Sequence, residues 1–75
     1  MADQELDLRG LRCPIPVMRT KKKLQTMSSG QTLRVLASDP GSISDFKAYV
    51  KNSGDTLLES NKTPAGDFEF LLKRV

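Results

Sequence analysis

A chain of 75 residues, 37% apolar and 28% charged, has room for one domain, residues 1–75, with the balance of a folded protein rather than a disordered one. With no histidine and a single cysteine, it cannot build an ordinary zinc or iron–sulfur site, a Cys–His catalytic pair or an internal disulfide. It lacks a Gly-x-Gly-x-x-Gly fingerprint, a Walker loop and any apolar run near the ~20 residues that cross a bilayer, and it opens on the acidic Met1-Ala2-Asp3-Gln4-Glu5. A cytoplasmic protein with no cofactor and no metal is expected.

Glu5-Leu6-Asp7-Leu8-Arg9 alternates polar and apolar residues and predicts a first strand ending at Gly10, with Leu6 and Leu8 toward the core. From Pro14 to about Ser28 the spacing predicts a helix. Val17, Thr20, Leu24 and Met27 share one of its faces, Arg19, Lys22, Gln25 and Thr26 the other, and Gly30 is its expected terminator. Gln31–Ala37 alternates again, with Leu33, Val35 and Ala37 on one side, and stops at Ser38-Asp39-Pro40-Gly41. A second helix follows, capped by Asp39 or by Ser42 or Ser44, carrying Ile43, Phe46 and Val50 inward with Tyr49 beside them, and running to about Asn52 before Gly54. Two strands, Thr56–Asn61 and Phe68–Arg74, are joined by a hairpin connection over Lys62–Asp67.

The order βαβαββ predicts an α+β two-layer sandwich in which two helices pack on one face of a four-stranded mixed sheet. The first two strands are expected to be parallel, because the helix between them supplies the length of a crossover. That topology delivers the chain to Cys13 at the carboxyl end of the first strand, where α/β proteins usually place their sites.

Cys13 lies in Arg12-Cys13-Pro14-Ile15-Pro16. Proline suits the first helical position, which makes Cys13 the expected cap, Pro14 the first helical residue and Pro16 a member of the same donor-free turn. The residue before a proline favours extended backbone, as a cap does. The amides of Cys13 and Ile15 are then expected to face the sulfur, and the partial positive charge of the helix start favours thiolate over thiol. A lone cysteine is more often a packing residue, but the nearby Arg9, Arg12 and Arg19 and the rigid proline turn point to a reactive one.

The net charge of +3 is gathered early, in Arg9, Arg12, Arg19, Lys21, Lys22, Lys23 and Arg34. The plain reading of this is a solvated helix face. A basic collar of Arg9, Arg12, Arg19 and Lys22 around a reactive sulfur would also steer acidic partner surfaces toward it.

The run Leu6-Asp7-x-x-Gly10-Leu11-x-Cys13-Pro14-x-Pro16-Val17 resembles the N-terminal signature of the TusA/SirA-like sulfur-carrier proteins, and the element order and length fit that family across essentially the whole chain. The resemblance implies that Cys13 accepts sulfane sulfur as a persulfide from a cysteine desulfurase or rhodanese-like donor and passes it to an acceptor cysteine on a partner. It further implies service in tRNA thiolation, cofactor assembly or other sulfur trafficking, with Pro14 and Pro16 shaping the turn. Such a protein is a carrier in sulfurtransferase chemistry rather than a stand-alone enzyme, and docking with two partners in turn is simplest for a monomer. Two alternatives differ in class. An RNA-binding or regulatory module would use the basic face, although the aromatics are assigned to core positions and direct nucleic-acid contact is not expected. A thiol redox sensor would cycle Cys13 through sulfenic acid and need a resolving thiol from another molecule.

Overall fold

The computed structural model describes residues 2–12 and 14–75, so Cys13 itself lies outside the described residues. The elements run β1 Gln4–Asp7, α1 Ile15–Gln25, β2 Thr32–Ala37, α2 Ser42–Ser53, β3 Thr56–Lys62 and β4 Phe68–Lys73. The strands form one mixed sheet in the order β1-β2-β4-β3. β1 is parallel to β2, with Leu6 opposite Val35, and β4 is antiparallel to both β2 and β3. Both helices pack against this sheet, which is the α+β sandwich that the element order predicts.

Alternation decides which side of the sheet is covered. Leu33, Val35 and Ala37 of β2 and Phe70 and Leu72 of β4 are fully buried, whereas Arg34 between them is exposed. Leu24 of α1 and Phe46 of α2 close the core from above, and the Phe46 and Phe70 rings meet with centroids 4.5 Å apart at a tilt of 36°. Leu8 is buried just past the end of β1, where its N–H still donates to the Leu36 carbonyl at 2.8 Å. Leu6 is half-buried against the same core. β3 carries an irregularity between Leu57 and Glu59 that leaves Leu58 exposed.

Several boundaries move by one to three residues for identifiable reasons. α1 opens at Ile15 rather than Pro14, because Pro14 (φ −95°, ψ 13°) is the flanking residue and Pro16 occupies the first turn. Its far end comes early, since Thr26 turns back and donates both its N–H and its Oγ1 to the Lys23 carbonyl. Gly30, the expected terminator, instead takes a positive φ of 85° in the turn that enters β2 and donates its N–H to the Arg74 carbonyl. α2 begins at Ser42 after Gly41, while Asp39 uses its carboxylate to hold the Gly41 N–H at 2.8 Å. Gly54 closes α2 in the left-handed conformation. Among the described residues no helix is long and apolar enough to cross a membrane.

Candidate functional site

The parallel pair β1 and β2 ends at Asp7 and Ala37, and the connections leaving those ends lead to the starts of α1 and α2. These two connections are tied together, because Gly10 donates its N–H to Ser38 Oγ at 2.8 Å. Gly10 has φ 87°, a conformation that side-chained residues avoid. Leu11 then donates to the Leu8 carbonyl at 3.2 Å, so the segment running toward residue 13 follows a closed turn rather than a loose loop.

At the start of α1 neither Pro14 nor Pro16 has an N–H to offer. Ile15 gives its N–H to the Arg12 carbonyl at 2.9 Å, and Met18 gives its own to the Pro14 carbonyl at 3.1 Å. The Ile15 amide, expected to face the cysteine sulfur, thus has the Arg12 carbonyl as its partner. The cap position, expected at Cys13, falls instead on Pro14, because the helix begins at Ile15; the expectation for the amide of Cys13 lies outside the described residues. Among the described residues no side chain caps this helix start, and its first turn contains no acidic residue, so the positive end of α1 has no carboxylate of its own helix to neutralise it.

The two prolines part company. Pro16 is fully buried and anchors the turn into the core, whereas Pro14 is exposed. Around them Ile15 is 41% exposed and Met18 63% exposed, an apolar surface next to the cysteine in sequence. Arg19 and Lys22 come together with Lys23, Leu6 and Thr26 along a shallow groove of about 300 Å³. Arg12 is exposed just before the helix. Lys21 points to a different cleft of about 330 Å³, lined also by Tyr49, Asp55 and Arg74, at the end of the sheet where β4 finishes.

Arg9 is not a free member of the collar. Its Nε and Nη2 form a two-pronged contact with Asp7, at 2.9 and 2.7 Å, and its Nη1 lies 3.8 Å from Asp67. Hydrogen bonding from Arg9 holds the Asp7 carboxyl well below the usual carboxylate range, at about 2, and Asp7 in turn raises the Arg9 guanidinium. The sequence hint for this pairing was Asp7-x-Arg9, a spacing at which an aspartate can accept from the backbone N–H two residues on. That bond is present at 3.1 Å. Ser38 and Asp67, which complete the surroundings, gave no comparable local signal.

Phe46 and Phe70 are fully buried and Phe68 and Tyr49 half-buried, so these four side chains offer no open stacking platform for bases.

Known proteins share the sequence pattern and the fold of this chain. The family model described as Sulfurtransferase TusA matches residues 4–74. The chain is 56% identical over 72 residues to the sulfur carrier protein TusA of Allochromatium vinosum, covering 96% of this chain and 93% of that protein. It is 46% identical over 66 residues to YrkI of Bacillus subtilis, covering 88% and 85% of the two chains. The crystal structure of a SirA-like protein from Desulfitobacterium hafniense superposes with a TM-score of 0.84 at 27% identity, covering 93% of this chain and 95% of that one. A match along nearly the full length, a shared fold and a common order of strands and helices place this chain in the TusA sulfurtransferase family.

Proposed function

We propose that this protein is a sulfur carrier whose Cys13 is loaded as a persulfide and discharged to a partner. Membership of the TusA family supports the carrier role, and the observation that carries the assignment to Cys13 is the acid-free first turn of α1, which opens two residues after it in the chain. The Cys13 thiolate attacks the outer sulfur of a donor persulfide, R–S–SH. The donor S–S bond breaks, the donor leaves as thiolate, and Cys13–S–SH is formed with its proton retained. An acceptor thiolate then attacks that outer sulfur, and Cys13 departs as thiolate. Neither step changes the overall redox balance or needs a base once the thiol is ionised. A helix start favours an anion by about 0.3–1 kcal/mol, and ~2 kcal/mol in a partly buried setting. That corresponds to less than about two pKa units.

The donor in this reading is a cysteine desulfurase or rhodanese-like protein, and the acceptor is a partner with a reactive cysteine, as in tRNA thiolation or cofactor assembly. Arg12, Arg19 and Lys22 steer acidic partners, and Pro14 and Pro16 shape the turn. The test is incubation with a cysteine desulfurase and cysteine, followed by mass spectrometry. The expected product carries one additional sulfur on Cys13 and is not formed by Cys13→Ser. Oxygen addition that requires peroxide, with no gain of sulfur, would instead identify a redox sensor.

A further inference from the structure

Arg9 is held by more contacts than a side chain reserved for partners would need. Its backbone N–H and Nε both donate to Asp7 Oδ1, at 3.1 and 2.9 Å, and Nη2 donates to Asp7 Oδ2 at 2.7 Å. The remaining arm, Nη1, faces Asp67 Oδ2 at 3.8 Å, across the sheet on the β3–β4 connection. That connection is itself braced, because Asp67 takes its N–H to Thr63 Oγ1 at 3.1 Å and accepts the Thr63 N–H at 2.8 Å. The residues after Arg9 are equally constrained, Gly10 by Ser38 Oγ at 2.8 Å and Leu11 by the Leu8 carbonyl at 3.2 Å.

Exposed ion pairs add little to global stability, with a median of about 0–1 kcal/mol. Both partners here are about half exposed, at 50% and 53% of their side-chain surface. The effect of the arrangement is therefore local. A guanidinium fork fixes direction as well as distance, which an ammonium group cannot do.

We propose that Arg9 is a positioning residue: with Asp7 and Asp67 it clamps the path of Leu8–Arg12 into Cys13 and couples that path to the Thr63–Asp67 connection. Its consequence for sulfur handover rests on the carrier reading above, since attack between two sulfurs is sensitive to their alignment. This role goes beyond the partner-binding one expected for Arg9 from its charge.

The test uses the full-length protein as wild type, Arg9→Lys, Asp67→Ala and the double variant. Arg9→Lys keeps the charge and loses the fork, and Asp67→Ala keeps both backbone bonds of that residue. Amide hydrogen exchange at Gly10 and Leu11 is expected to rise about three- to tenfold in each single variant, with protection in β4 and α2 unchanged. Handover of sulfur from loaded protein to an acceptor thiol is expected to slow by a similar factor, equivalent to roughly 0.7–1.4 kcal/mol. The double variant should match either single one, because the two residues act as a unit. Exchange at the wild-type level in both single variants overturns the proposal, as does faster exchange with unchanged handover. If wild-type protein takes up no sulfur, the carrier reading fails, and unchanged or increased exchange then decides the clamp separately.

Discussion

Asp55 is a carboxylate only 8% exposed, and it is stable there because both oxygens are occupied: Tyr49 donates its hydroxyl to Oδ2 at 2.9 Å and Val75 its N–H to Oδ1 at 2.9 Å. Burial, reinforced by this bond to Asp55, pushes the Tyr49 hydroxyl from 10.0 up to about 12, against smaller opposing effects of Ser53 and Arg74. The folded state thus binds the phenol proton more tightly than the unfolded state. The resulting stabilisation is complete below about pH 10 and disappears as the pH climbs through about 12. Because the chain has one tyrosine and no tryptophan, ultraviolet absorbance reads this group alone. The expected midpoint is near 12, and Asp55→Asn should bring it back toward 10. An unchanged midpoint in that variant would show that the carboxylate has no part in the shift.

Elements end where a residue type forces them to, and Gly54 is the clearest case. Its φ of 84° closes α2 while its N–H returns to the Val50 carbonyl at 3.2 Å. A methyl group at this position would meet only Val75 Cγ2, at 3.9 Å, so the cost of Gly54→Ala is conformational rather than steric crowding. Left-handed backbone costs a side-chained residue roughly 1–2 kcal/mol. The melting temperature should fall by about 4–8 °C or somewhat more; thermal denaturation followed by circular dichroism checks this. The periodicities of Leu33-x-Val35-x-Ala37 and of Leu24 and Met27 made the elements readable, since burial on one face leaves that imprint in order. Helix starts were less readable. At Ile15 the outcome depended on how two prolines divide one turn, and at Ser42 on an aspartate that holds a glycine amide instead of capping. Strand order was silent in the sequence, because the placement of β4 between β2 and β3 is a matter of pairing across distance. The same limit hid the Arg9–Asp67 contact, so Arg9 read as a free cation on local charge alone.

On the scale of the whole molecule, charge is sorted. Arg19, Lys22 and Lys23 lie along one groove of α1, while Glu5, Asp7, Glu59 and Glu69 gather around Arg34 on the opposite, uncovered side of the sheet, where carboxylates are in excess. Under the proposed carrier role such a field would orient an approaching acidic partner toward the helix side, and salt would weaken it over a screening length of about 10 Å at 0.1 M. Arg19→Glu combined with Lys22→Glu is expected to slow sulfur transfer about tenfold at low ionic strength and progressively less as salt is added. Stopped-flow rates across a salt series measure this, and slowing that ignores salt would count against steering.

The bare side of the sheet has a consequence of its own. Arg34 lies at its centre, bonded to Glu69 and within the field of Glu5 and Glu59, with Leu36 and Leu71 half-buried at its flanks. Among the described residues no third layer covers this surface, and ionic groups interrupt its leucines. Replacing Arg34 and Glu69 by leucine would join those patches into one oily plate and lead molecules to stack sheet against sheet. Arg34 and Glu69 therefore break up an apolar patch of the kind that drives self-association, on the side of the sheet away from the helices.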